Sequence, residues 1–93
     1  MKEKSIRVVV EGRVQGVWFR GWVMQEASIL NLDGWVRNRT DGTLEALFSG
    51  AGSDVDAMIL ACHQGPSSAR VDSVSQHPAP PPEERGFRSL PTM

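Results

Sequence analysis

The sequence predicts an α+β fold in which two helices cover one face of a four-stranded antiparallel sheet. Alternating apolar residues mark strands, and two stretches of helical apolar spacing lie between them. Glycine-containing turns separate these stretches. A chain of 93 residues can build one modest core, so we expect residues 1–93 to form a single domain.

The first strand and the first helix are joined by a turn that two glycines bracket. The strand has apolar residues at every second position, namely Ile6, Val8 and Val10. The helix is predicted from about Arg20 to Leu30, and its buried stripe consists of Val23, Ala27 and Leu30. Asn31 suits the left-handed position after a helix, and Leu32 is expected to pack back against it.

Residues 34–50 are predicted to form a hairpin, which can have either of two registers. A two-residue loop at Asp41-Gly42 would pair Asn38 with Glu45 and mix apolar side chains with arginines. A three-residue loop with Gly42 left-handed instead pairs Arg37 with Glu45 and puts the apolar residues on one face. Because burial of one face specifies register, we predict the second arrangement. Asn38 is then the lone polar residue on the apolar face.

The second helix is predicted to start with Ser53 as its cap and to end before Gly65-Pro66. Its buried stripe consists of Val55, Met58, Ile59 and Cys62. A strand follows from Ala69 to His77, with a possible bulge between Val71 and Val74.

The remaining sequence predicts a proline-rich loop at 78–85, a short final strand from Phe87 to Leu90, and a frayed end at 91–93. The predicted order is strand, helix, strand, strand, helix, strand. That order is typical of the ferredoxin-like βαββαβ sandwich, with four antiparallel strands and both helices on one face.

Charge and composition exclude several classes of partner. The 10 basic and 11 acidic residues give a net charge of −1, which argues against broad electrostatic binding to nucleic acid. No signal peptide is visible, and no apolar run approaches the roughly 18 residues of a membrane span. The single Cys62 fits a reducing compartment. We therefore predict a cytoplasmic protein without membrane or nucleic-acid partners. Separately, we expect a monomer, which these observations do not determine.

The segment from Gly12 to Arg20 is the candidate binding loop. A turn that leads into a helix gathers unpaired N–H groups at the positive end of the helix dipole, which suits phosphate. Arg20 adds a planar fork of donors that matches two phosphate oxygens. The loop has neither the Walker nor the Rossmann glycine spacing, and by spacing alone a strand-to-helix segment of this kind is more often a simple turn than a binding loop.

Several other side chains could carry chemistry. Asn38 must find hydrogen-bond partners or cost about 1–3 kcal/mol, so it either bonds to backbone at the sheet end or holds a water near the loop. Trp18 either lines the mouth of a site or packs against the fold. Cys62 is expected to be an inert core thiol and His63 and His77 surface residues, and the three lack metal-ligand spacing.

Taken together, these segments resemble the acylphosphatase family. The motif Gly12-Arg13-Val14-Gln15-Gly16-Val17-Trp18-Phe19-Arg20 looks like the family signature, and the likeness continues through Gly34-Trp35-Val36-Arg37-Asn38 and Gly65-Pro66. The resemblance implies a ferredoxin-like fold and hydrolysis of an acyl phosphate to a carboxylate and inorganic phosphate, without a cofactor, a metal or a covalent intermediate.

The resemblance also implies roles for individual residues. Arg20 and Asn38 are the expected catalytic pair: Arg20 binds the phosphoryl group and Asn38 positions the attacking water. The expected substrate-binding residues are Gln15, Gly16, Val17, Trp18, Phe19 and Arg20. One alternative is a regulatory or recognition domain like the N-terminal domain of hydrogenase-maturation carbamoyltransferases. Another is RNA binding on the open sheet face, which would require exposed aromatic residues there.

Overall fold

A computed structural model describes residues 3–93, in which five strands and two α-helices share one core. The strands are β1 (Glu3–Arg13), β2 (Asp33–Asn38), β3 (Leu44–Ala51), β4 (Arg70–Pro78) and β5 (Phe87–Ser89), and the helices are α1 (Phe19–Ile29) and α2 (Gly52–Cys62). The sheet order is β4-β1-β3-β2-β5. Neither helix in the described part of the chain is long and apolar enough to cross a membrane.

Both helices cover the same face of the sheet. Alternate residues of the central strands point into one core, and the buried side chains of α1 and α2 pack against them. The largest fully buried side chains include Phe19, Phe48, Leu44 and Met58. The predicted stripes are therefore confirmed, except that Leu30, which directly follows the last residue of α1, is only partly buried.

The prediction of a four-stranded antiparallel sheet was wrong. The final strand, predicted from Phe87 to Leu90 and observed as β5, joins the sheet as a fifth strand and pairs in parallel with β2. The proline-rich segment carries the chain from β4 at one edge of the sheet to the opposite edge. There the Gly34 N–H donates to the Gly86 carbonyl at 3.0 Å, and the Gly86 N–H donates to Asp33 Oδ1 at 2.8 Å. The Phe87 ring stacks on Phe48 with centroids 5.7 Å apart. These contacts join residues far apart in the sequence, so no local pattern encodes them. They place β5 at the edge of the sheet beside β2.

The hairpin has the predicted three-residue loop. Arg37 pairs with Glu45 and Asn38 with Leu44. The Arg39 N–H donates to the Thr43 carbonyl at 2.9 Å, and Gly42 has a φ of 92°. The register therefore follows from burial of one face, as expected.

The helix ends confirm one prediction and correct another. Asn31 is left-handed with a φ of 57°, and the Leu32 N–H donates back to the Ala27 carbonyl at 2.9 Å. Ser53, however, is not the cap of α2. Strand β3 runs directly into the helix, so Ala51 occupies the cap position and Ser53 lies in the first turn.

The last residues are held along β2, so the expectation of fraying was wrong. The Leu90 N–H donates to the Val36 carbonyl at 2.9 Å, and the Met93 N–H donates to the Asn38 carbonyl at 3.2 Å. The Thr40 N–H in turn donates to the Met93 carbonyl at 2.9 Å. Asn38 consequently has a backbone neighbour on each side, Leu44 of β3 and Met93.

Candidate active site

The loop between β1 and α1 begins at an irregularity in the sheet. The register of β1 and β4 shifts between Glu11 and Gly12, which places Asp72 as an extra residue between Val71 and Ser73. This confirms the predicted bulge. Gly12 has a φ of 131°, and a Cβ there would clash with the Arg70 carbonyl oxygen. Glycine is therefore required where the chain leaves the sheet.

The loop is anchored in the core by two buried side chains, Val14 near its start and Phe19 near its end. Val14 and Phe19 are each 1% exposed. The Phe19 ring meets Trp22 edge-on, with centroids 5.4 Å apart. It also lies so close to Gly65 that a Cβ on Gly65 would come within 2.6 Å of Phe19 Cε2. Any contact between Phe19 and a ligand must therefore come from its backbone.

Gln15 ties the loop to the hairpin. Its Nε2 donates to the carbonyl oxygens of Arg39 at 2.7 Å and of Thr43 at 2.9 Å. Both acceptors lie immediately beyond the strand ends that carry Asn38 and Leu44. The two bonds thus couple the binding loop to the strand end of Asn38.

The loop and the first turn of α1 present unpaired donors. The structure records no hydrogen bond from the backbone N–H groups of residues 16–21 to any other described residue. Trp18 occupies the cap position without a side-chain cap bond, and the first turn contains no acidic residue. These N–H groups and the positive end of the helix dipole together form a site that attracts an anion.

Arg20 and Asn38 lie in one cleft of about 370 Å³. Arg20 is exposed, and it forms no hydrogen bond or ion pair with another residue in the 3–93 range. Asn38 Oδ1 is buried and has no hydrogen-bond partner in the same range. The unpaired guanidinium of Arg20 and the unsatisfied amide oxygen of Asn38 therefore share one cleft, and both can bind a polar ligand.

The cleft contains most of the predicted site residues and four others, of which Val14 belongs to the predicted loop. The predicted residues that line it are Gly16, Trp18, Phe19, Arg20 and Asn38. Gln15 and Val17 do not line it: Gln15 faces the hairpin and Val17 packs against the core. The additional residues are Val14, Gly21, Met24 and Ser89. Met24 follows Gly21 by one helical turn, which periodicity could have shown, whereas Ser89 depends on the position of β5.

Trp18 has an unusual backbone and an exposed side chain. Its φ of 64° and ψ of 21° are left-handed, which costs a residue with a side chain about 1–2 kcal/mol. The side chain is nevertheless 64% exposed. Of the two roles left open for Trp18, the structure favours a place at the mouth of the cleft over packing in the core.

The other candidate groups lie apart from this cleft. Cys62 is fully buried, and burial raises the pKa of its thiol to about 12. His63 and His77 are both exposed, as predicted. No three His, Cys, Asp or Glu side chains within residues 3–93 come together as a metal site. The fold and the cleft thus define a small α+β protein in which a loop with unpaired N–H donors adjoins Arg20 and Asn38.

Comparison with known proteins identifies the family. The Acylphosphatase family model matches residues 6–89. An acylphosphatase of Rhodospirillum rubrum is 50% identical over 90 residues, which cover 97% of this chain and 99% of the relative. The chain belongs to the acylphosphatase family.

Solved structures agree with this assignment. An acylphosphatase from Coxiella burnetii superimposes with a TM-score of 0.90 at 33% identity, covering 95% of this chain and 93% of that one. A full-length HypF in its phosphate- and nucleotide-bound form matches with a TM-score of 0.89 at 26% identity, over 98% of this chain and 12% of that one. The same fold therefore occurs both as a small enzyme and as a part of a larger protein.

Proposed function

We propose that this protein hydrolyses acyl phosphates to a carboxylate and inorganic phosphate. One observation carries the proposal. The exposed, unpaired Arg20 and the unsatisfied Oδ1 of Asn38 lie in the same cleft, next to a loop whose N–H groups have no acceptor among the described residues. Membership of the acylphosphatase family supports the same reaction.

In the proposed complex, the loop and Arg20 hold the phosphoryl group. The unbonded N–H groups of residues 16–21 point donors at the phosphate oxygens, and Arg20 can bind two of them through its planar fork. Phosphoryl transfer spreads negative charge over the equatorial oxygens. The backbone N–H groups of the loop are fixed in advance and stabilise that charge without reorganising, and Arg20 adds its positive charge, so both lower the barrier.

Asn38 positions the attacking water in this mechanism. Its unsatisfied Oδ1 can accept a hydrogen bond from the water, and its backbone is held between β3 and Met93. The water oxygen bonds to phosphorus as the bond to the acyl oxygen breaks, and the carboxylate leaves. No carboxylate or imidazole is among the described residues that line the cleft. We propose that the proton of the water passes to a phosphate oxygen.

We also propose the domain organisation, oligomeric state, location and cofactor requirement of the protein. Residues 1–93 act as a single domain, and the protein works as a monomer in the cytoplasm without a cofactor. The chain has a single cysteine, Cys62, and it is free, which fits a reducing compartment. A nucleic-acid partner is not part of the proposal, because Glu45 forms ion pairs with Arg7 and Arg37 on the open sheet face. That face also carries Trp35, which the sequence pattern did not indicate, and the Arg37 guanidinium lies over its ring at 4.8 Å.

A regulatory or recognition domain is the second candidate function. The match to part of HypF favours it, since the same fold there belongs to a longer chain. Arg20 and Asn38 share a cleft in this protein, which favours catalysis. The two functions differ in a simple measurement, because a recognition domain would bind phosphate without turning over an acyl phosphate.

The test is hydrolysis of benzoyl phosphate with inorganic phosphate as competitor. We expect turnover that a chelator does not abolish and that phosphate inhibits competitively. Arg20→Ala should lower the rate about 10²–10³-fold, as loss of one transition-state donor typically does. Arg20→Lys should not restore it, because an ammonium cannot form the fork.

Arg85→Lys is the matched control, since Arg85 is also exposed and lies outside the cleft. It should keep the activity of the unchanged protein. Phosphate binding without turnover would support the recognition domain instead. Near-normal turnover of Arg20→Lys would refute bidentate binding by Arg20.

A further inference from the structure

The indole of Trp18 packs against Gly21 in the first turn of α1. The side chain lies so close to Gly21 that a Cβ on Gly21 would clash with Trp18 Nε1, and it would come within 2.7 Å of Cδ1. Glycine is a poor residue for a helix, and a left-handed backbone is poor for tryptophan. A glycine within the helix and a tryptophan with a left-handed backbone are both locally unfavourable. Together they place the exposed indole against the first turn of α1.

The cleft is lined by two kinds of residue. Gly16, Arg20 and Asn38 provide polar groups, where phosphate is proposed to bind. Trp18 and Met24 provide apolar side chains, and Gly21 lies between them in sequence. An exposed indole at the mouth of the cleft gains little for folding, since 64% of its surface stays in water. It gains contact area when an apolar group of a ligand covers it.

We propose that Trp18 determines specificity by binding the acyl group of the substrate. The inference rests on the proposed function, because the phosphate end of the substrate must lie at Arg20. The acyl group then extends over the exposed indole. Acyl phosphates with an aromatic or bulky apolar acyl group are therefore the preferred class. Acetyl phosphate, with one methyl group, can cover little of the indole.

The experiment compares kcat/KM for benzoyl phosphate with kcat/KM for acetyl phosphate. Trp18→Gly and Trp18→Asn both remove the indole, and both new residues suit a left-handed backbone. We expect the benzoyl-to-acetyl ratio to fall about 2- to 12-fold, which is the size of one aromatic pair. Trp18→Phe retains an aromatic face and should recover most of the ratio.

A second variant moves the indole without removing it. Gly21→Ala puts a methyl group where the indole lies, so the ratio should fall in the same direction, although alanine favours the helix. Ile29→Ala is the matched control. Ile29 is also on α1, is 70% exposed, and does not line the cleft, so its loss should leave the ratio unchanged.

The outcomes separate this inference from the function on which it rests. If the unchanged protein hydrolyses neither substrate, the proposed function itself is wrong. If it hydrolyses both and the ratio does not change in Trp18→Gly and Trp18→Asn, only the role of Trp18 is refuted. A fall in the ratio with Ile29→Ala as large as with Trp18→Gly would also refute it.

Discussion

Replacing Gln15 tests whether the loop must be tied to the hairpin. Gln15→Leu removes the hydrogen bonds at 2.7 Å and 2.9 Å to the carbonyls of Arg39 and Thr43. Neither carbonyl is left without a partner, because Gly42 N–H still donates to Arg39 and Arg39 N–H to Thr43. The loss is therefore two net hydrogen bonds without an orphaned acceptor, about 1–3 kcal/mol in the free energy of unfolding.

The same change should lower activity. When the two bonds are lost, the loop can shift relative to Asn38, and a misplacement of about 1 Å can cost as much as 10² in rate. We expect kcat for benzoyl phosphate to fall about 10- to 100-fold. The assays are urea unfolding and steady-state kinetics on the same samples.

Gln15→Glu is the control of matched shape. A carboxylate has no N–H to donate and would face two carbonyl oxygens, so it should be at least as destabilising as leucine. If both variants unfold within about 0.5 kcal/mol of the unchanged protein, the two bonds do not stabilise the fold. Loss of stability with undiminished kcat would show that the site does not depend on this connection.

Three further predictions concern other parts of the structure. Asn38→Ala should lower kcat sharply while competitive inhibition by phosphate persists; parallel weakening of the inhibition would make Asn38 a binding residue. Gly65→Ala should cost about 1–3 kcal/mol in urea unfolding, because the methyl group would lie 2.6 Å from Phe19 Cε2. Gly42→Ala, also at positive φ but with open space around it, should cost less. An equal cost would assign the effect to the backbone alone. Burial raises the pKa of the Cys62 thiol from the ordinary value of 9.0 to about 12, so the folded protein keeps this proton where the unfolded chain loses it. Between pH 9.0 and about 12 the unfolded chain therefore binds fewer protons than the folded protein. The free energy of unfolding should fall by about 4 kcal/mol as the pH rises through this range. The slope should be smaller in Cys62→Ala, and an equal slope would contradict the effect of burial on the thiol.

Local features of the sequence were sufficient for much of the fold. Apolar periodicity indicated both helices and the four long strands, because each element must bury one face. The same reasoning resolved the hairpin register and made Asn38 stand out as a polar residue on an apolar face. Asn31 was predictable since few residues tolerate a left-handed helix end.

Local features failed where distant segments decide the outcome. The parallel pairing of β5 depends on where the proline-rich segment delivers the chain, and Gly86 and Phe87 meet partners more than 30 residues away. The cap of α2 was misplaced because the turn pattern at Ser53 does not show that β3 runs straight into the helix.

The sequence by itself determined the chemistry available to this protein: a glycine-bracketed loop, an arginine at the start of a helix and one amide on an apolar strand face. These features depend on dihedral angles and on the burial of neighbours in the chain. Only the tertiary structure decided that Arg20 and Asn38 share a cleft and that Gln15 faces the hairpin. It also showed that the indole of Trp18 lies exposed against Gly21. Those relations depend on how α1, β2 and the loop pack, which is a property of the whole core and not of any one segment.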